Sequence, residues 1–136
     1  MNVRLLWTAV ALLGPLLVGC GPSPVVGGTS GVLRAGGEPL GDMQVTVYQP
    51  KDAAWQPIGF ADTAIDGTFR LLLSGAAGPL ELAPGEYRFT LQSVGAPVIV
   101  PRELTDVGTT PLRASWNNEQ TQLTLSLPQK LRPTRR

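Results

Sequence analysis

Apolar and polar residues alternate with a period of two along most of this chain. Met43, Val45 and Val47 alternate with Gln44, Thr46 and Tyr48, and Phe69, Leu71 and Leu73 with Arg70, Leu72 and Ser74. The pattern returns at Tyr87, Phe89 and Leu91, and again at Leu123, Leu125 and Leu127. Each run predicts a strand with one face inward and one face in water. Between the runs stand Gly36-Gly37, Asp66-Gly67, Pro84-Gly85 and Asn117-Asn118, residue pairs suited to the positive-φ positions of tight turns. Beyond residue 20 no sustained 3.6-residue stripe occurs. Prolines recur from Pro39 to Pro128 too often for long helices. Short strands with frequent turn signals predict an all-β, antiparallel sandwich. Burying one Val, Leu or Phe side chain stabilises by roughly 1.5–3 kcal/mol, so the twelve inward positions in these four runs suffice for a core.

The N-terminus breaks the pattern. After the cationic start Met1-Asn2-Val3-Arg4, residues 5 to 18 carry no charge and are rich in Leu, Ala and Val. That run is shorter than the ~20 apolar residues a membrane-spanning helix needs. A positive start, a short apolar run and then small residues make the signal-peptide pattern. Pro15 within the run discourages a continuous helix. The run ends at Cys20, the only cysteine in the 136 residues, so no internal disulfide can form. Leu17-Val18-Gly19-Cys20 resembles the lipobox of bacterial lipoproteins. There the thiol is acylated and the chain is cut just before it. The resemblance implies a signal peptide over residues 1–19 and lipidation of Cys20. The competing reading is an ordinary signal peptide that happens to contain a cysteine. Gly21, rather than an aspartate, follows Cys20. By the sorting rule of such lipoproteins this implies the outer membrane, in an organism that has one.

Cleavage at that point changes the charge balance. The full chain has 11 Lys+Arg against 10 Asp+Glu; losing Arg4 leaves the side chains formally neutral. A neutral surface exerts no general pull on nucleic acid or acidic lipid, so membrane association is expected from acyl chains, of which two or more hold stably. Residues 20–30, rich in Pro, Gly and Ser, read as a short tether. The alternative starts a first strand at Val25-Val26. The sandwich is expected over residues 31–128. Residues 129–136, with Lys130, Arg132, Arg135 and Arg136, read as a basic, frayed tail, its sharper alternative being contact with anionic lipid or polyanionic sugar.

Several stretches carry a family resemblance. "GVLRAGGEPLGDMQVTVYQP" (31 to 50) resembles the opening of carboxypeptidase-regulatory-like and transthyretin-like domains, with Gly37, Pro39, Leu40, Val45 and Val47 at matching places. "TAIDGTFRL" (63 to 71) is similar to the family's Thr-Asp-x-Asp-Gly-x-Phe turn, although Ala64 replaces the first aspartate. "LAPGEYRFTL" (82 to 91) is similar to its Pro-Gly-x-Tyr strand entry. Residues 100 to 127 resemble the C-terminal part of small lipoproteins with this domain, Leu104 standing where an aromatic is usual. The resemblance implies a seven-stranded antiparallel Greek-key sandwich and a non-catalytic module. Pro84-Gly85 reads as a turn that delivers Tyr87 to the core face; a hydroxyl bonded to nearby backbone, in the manner of a tyrosine corner, is the less favoured reading of that residue.

Candidate chemistry is sparse. The chain has no histidine, which excludes His-based triads and the usual His-containing metal sites. With Cys20 acylated no thiolate nucleophile remains, and no Ser-x-x-Lys spacing occurs. Neither an enzyme nor a cofactor is expected. "DTAIDG" (62 to 67) has two aspartates and the glycine of a calcium loop. Ala64 and Leu73 stand where further ligands belong, so the EF-hand pattern fails. Trp55, placed in a loop by "KDAAWQP", is a contact residue if exposed, with ordinary packing the favoured alternative. Two readings follow. One is a lipid-anchored structural or protein-interaction module of the envelope. The other is a carbohydrate- or calcium-binding module using Trp55, Asp62 and Asp66.

Overall fold

The computed structural model describes residues 27 to 134. The expected signal peptide, the Leu17-Val18-Gly19-Cys20 motif, the first part of the expected tether, the alternative start at Val25-Val26 and the last two arginines lie outside these residues. The strands are β1 (Ser30–Ala35), β2 (Glu38–Pro39), β3 (Met43–Lys51), β4 (Ala54–Asp62), β5 (Thr68–Arg70), β6 (Leu72–Leu73), β7 (Gly85–Ser93), β8 (Arg113–Trp116) and β9 (Leu123–Leu127). One helical turn, α1 (Arg102–Thr105), and a 3-10 turn at Ser74–Ala76 complete the elements. The fold is all-β, in two sheets, as the alternation predicts. One sheet has the order β6-β4-β3-β7-β8; the other is built around β1. Along one edge of β1 run β5 and then β2, both antiparallel.

Its other edge corrects the purely antiparallel expectation. β9 pairs with β1 in parallel, from Gly31 opposite Leu123 to Ala35 opposite Leu127. A parallel partner cannot come from a hairpin; here it comes from the far end of the chain, after the second sheet has been laid down.

The inward positions form the core. Met43, Val45, Val47, Phe69, Leu71, Tyr87, Phe89, Leu91, Leu123, Leu125 and Leu127 are all buried in one cluster with Leu33, Leu104 and Leu112. Leu73 is the exception among the twelve, 40% exposed. The chain crosses from one sheet to the other between β5 and β6, and this crossing ends the alternation that made Leu73 look internal. β6 itself is only two residues long.

Both ends of the domain extend past the expected boundaries. The Thr29 amide donates to Leu80 O (2.9 Å), its carbonyl accepts from Leu71 N (3.0 Å), and its hydroxyl accepts from Leu82 N (2.9 Å). Residues 28–30 are therefore docked, not tether. Nor is the C-terminal segment frayed as far as it is described. Ile99 N donates to Arg132 O (2.7 Å), Thr134 N donates to Pro97 O (2.9 Å), Leu131 packs on the core, and Lys130 pairs with Glu38 at 3.0 Å. Backbone pairing and one leucine hold a segment that composition alone marks as loose.

Turn chemistry follows φ. Gly36 and Gly37, both at positive φ, join β1 to β2. Asp52 and Ala53, at φ 50° and 63°, make the two-residue connection of β3 to β4. A two-residue hairpin with both residues at positive φ favours glycine, so Ala53 is strained. Ala53→Gly should raise stability by about 0.5–1 kcal/mol in urea unfolding. By the same measurement Phe89→Ala should cost about 3–5 kcal/mol, whereas Leu73→Ala should cost roughly 1 kcal/mol or less.

Candidate functional site

β4 carries a bulge. Val47 faces Gly59, but the next residue, Tyr48, faces Pro57, so Ile58 is the extra residue. Side chains alternate faces along a strand, and one inserted residue flips all that follow. Unbulged alternation from buried Ala61 and Gly59 would turn Pro57 and Trp55 inward. The bulge turns them outward instead, beside Tyr48 on the wet face. Trp55 therefore belongs to a strand and not, as its neighbours suggest, to a loop, and it is half-buried.

What covers Trp55 is an arginine. The Arg88 guanidinium carbon lies 4.3 Å from the centroid of the Trp55 ring, a cation-π contact. Arg88 Nη1 also donates to Val107 O at 3.2 Å. In the register of β7 and β8, Arg88 sits directly opposite Arg113, and Glu86 opposite Ser115. Arg113 Nε donates to Thr110 O (3.4 Å), and Ser115 Oγ to a Glu86 carboxylate oxygen (3.4 Å). Trp55, Glu86, Arg88, Arg113 and Ser115 line a shallow depression of about 240 Å³. Among the described residues the one ion pair joins Lys130 to Glu38. Neither arginine of the depression meets a carboxylate.

The three residues singled out in the sequence do not converge. Trp55 and Asp62 stand near opposite ends of β4, seven residues and roughly 23 Å apart along the strand. Asp66 belongs to the turn between β4 and β5, where its carboxylate accepts from Thr68 N (3.1 Å) and Thr68 Oγ (2.6 Å). These bonds, the hydroxyl first, hold the Asp66 carboxyl below its ordinary pKa. Asp66 thus ties down its own turn, with Gly67 at φ 79° completing it. Among the described residues no three metal-ligating side chains gather in one place.

Tyr87 reaches the core face, as the strand entry implies, and also makes the corner bond that the sequence pattern does not favour. Its ring is buried and its hydroxyl donates to Ala83 O at 2.6 Å. Burial raises its pKa, and the backbone bond acts in the opposite direction. Thr63 and Thr110 went unmarked in the sequence. Thr63 Oγ accepts from Met43 N and donates to Leu40 O, while Thr110 Oγ accepts from Leu112 N and donates to Phe89 O. Nothing in the local sequence separates such a threonine from a solvent-facing one. Arg88 and Arg113 were missed for a similar reason: their adjacency arises only when β8 pairs with β7. A second, largely apolar groove of about 320 Å³ lies between α1 and the C-terminal segment, with Ile99, Leu104, Leu127 and Leu131 on its walls.

Comparison with known proteins adds no relative. No protein-family model, no curated protein and no solved structure matches the chain.

The Asp66 turn gives a pH test. A carboxyl whose folded pKa is depressed contributes stability above its unfolded value, about pH 4, and loses that contribution as pH falls through the folded value. The stability difference between wild type and Asp66→Asn should therefore be constant near neutrality. It should shrink as urea unfolding is repeated at successively lower pH below about 4.

Proposed function

We propose that this chain is a non-catalytic lipoprotein of the bacterial envelope, a small β-sandwich held to the outer membrane by acyl groups on Cys20. In this reading its work is structural or protein-binding. The observation that carries the proposal is the run of uncharged residues ending in Leu17-Val18-Gly19-Cys20, followed almost at once by folded chain. Cys20 precedes Gly27 by seven residues, and seven extended residues reach at most about 25 Å. From Gly28, whose amide donates to Glu81 Oε1 at 2.7 Å, the backbone is bonded to the domain. A lipid on Cys20 would keep the sandwich against its membrane.

The fold also supports the seven-stranded, transthyretin-like Greek-key reading. β2 and β6 are two-residue strands. Without them one sheet is β5-β1-β9 and the other β4-β3-β7-β8. The chain leaves β1 for the β3-β4 hairpin, returns to place β5 beside β1, and then crosses again to set β7 against β3. Such interleaving of hairpins between sheets favours the Greek-key reading.

An interaction role is favoured by the end of the sandwich away from Gly28. Asp42 O accepts from both Val94 N and Ala96 N there, and Gly41 lies against the backbone of Ile65. Ile65 is 87% exposed and Val94 51%. Apolar side chains at the far end from the anchor suit a partner standing off the membrane. A ligand-binding role, the second reading, is favoured by a different feature, the adjacent guanidinium groups of Arg88 and Arg113.

The anchor is tested by intact mass and membrane partition of the natively expressed protein beside Cys20→Ala. The expected result is a wild-type chain beginning at Cys20 and carrying acyl groups, with the variant lost from the membrane fraction. A soluble wild type with a free thiol overturns the lipoprotein reading.

A further inference from the structure

Sheet register brings two like charges together on the outer face of β7 and β8. Arg88 and Arg113 are directly opposite, a position at which Cβ atoms in an antiparallel pair stand about 4.5–5.5 Å apart. Like charges so placed oppose pairing unless something between them is negative. Among the described residues neither has a carboxylate within ion-pair distance. The two heads are nonetheless held in place. Arg88 sits over the Trp55 ring and donates to Val107 O; Arg113 donates to Thr110 O. Each guanidinium has five N–H donors, and each has one such bond to the backbone, so several donors remain for a guest.

The next outward row of the same two strands differs in chemistry. Glu86 and Ser115 face each other two residues along, about 7 Å from the arginine row at the rise of an antiparallel strand. A carboxylate with a hydroxyl beside it accepts hydrogen bonds from neutral hydroxyl groups and repels a second anion. All four side chains line the depression beside Trp55. One end therefore suits a dianion and the other suits hydroxyls, at a separation close to the breadth of one hexose.

We infer that this depression is a binding site for a phosphorylated sugar. The phosphate sits between Arg88 and Arg113, and ring hydroxyls meet Glu86 and Ser115. Planar guanidinium groups give paired, charge-assisted bonds to phosphate oxygens. Trp55 serves as the platform that fixes Arg88 and does not stack on the sugar, since Arg88 covers its ring. The inference concerns the folded domain and stands whether or not Cys20 is acylated. The sugar phosphate could be free, or linked through a phosphodiester to a polymer or lipid.

The test is titration of the full protein in detergent, followed by arginine Nε–H NMR signals and calorimetry. The probes are glucose 6-phosphate, its methyl phosphodiester, inorganic phosphate and glucose. Glucose 6-phosphate should shift the Arg88 and Arg113 signals and bind at least about tenfold more tightly than inorganic phosphate, and glucose should shift neither. Arg113→Gln, at an exposed position, should weaken that binding by about tenfold or more, with Arg113→Lys recovering only part. The pair Glu86→Gln and Ser115→Ala should abolish the preference, so that glucose 6-phosphate and inorganic phosphate bind alike when both are measured on that variant. Preference for the monoester assigns a terminal phosphate, and equal binding of the diester assigns a linked one; either supports the site. Equal binding of inorganic phosphate and glucose 6-phosphate means an adventitious ion only and overturns the inference. So does an Arg113→Gln protein, folded by its near-ultraviolet dichroism, that binds as wild type does.

Discussion

β1 is the strand on which the rest of the fold depends, because it is hydrogen-bonded along both edges. β5 and β2 divide one edge between them, and β9 takes the other from Gly31 to Ala35. A buried backbone donor or acceptor left unpaired costs as much as a lost hydrogen bond, so the second edge must be filled, and it is filled by residues some ninety positions away. Gly31 shows how tight the centre is. It sits opposite Phe69, and a Cβ there would run into the Phe69 ring. The aromatic ring occupies the space the glycine leaves open, so the small residue and the large one are a single packing decision. Completion of β1 waits on the last strand of the chain, and a domain dominated by such distant pairings folds slowly compared with one built from local contacts.

The second sheet shows how one inserted residue relocates chemistry. The Ile58 bulge re-aims the first half of β4, carrying Trp55 and Pro57 to the face where Tyr48 and Arg88 already point. Gly59 beside it is buried against β6, where a Cβ would collide with Leu72 O and the Leu80 side chain. The strand thus stays thin where the neighbouring strand crosses and turns outward where it is free. A wet face with an aromatic and two arginines results from that local irregularity together with the β7-β8 register.

Period-two alternation made the core legible. Met43, Val45 and Val47 occur in one uninterrupted strand, and sterics alone send them to the same side. Leu73 misled because its run is broken by a crossing between sheets, which a periodic pattern does not record. Trp55 misled because polar and proline neighbours look like a loop, while the bulge that places it depends on pairing with β3. Composition described the C-terminal segment by its cations. Its docking rests instead on backbone bonds from Ile99 and Thr134 and on Leu131, and backbone bonds leave no mark in composition. Arg88 and Arg113 are 25 positions apart, so their meeting is a property of register. What was legible depended on neighbours in sequence; what was not depended on neighbours across a strand pair.

The parallel pairing of β1 and β9 fixes where the two ends of the domain emerge. The chain enters β1 at Ser30 and leaves β9 at Leu127, at opposite ends of the same ladder. Tension applied to the chain before Ser30 and after Leu127 therefore pulls the two strands past one another, in shear. The slanted, evenly spaced bonds of a parallel ladder then bear the force together, whereas a hairpin pulled at its open end would lose them one at a time. Rupture under tension is governed by the unfolding rate, and shear loading keeps that rate low. A tether at one end and a pulling partner at the other would find this domain a stiff link.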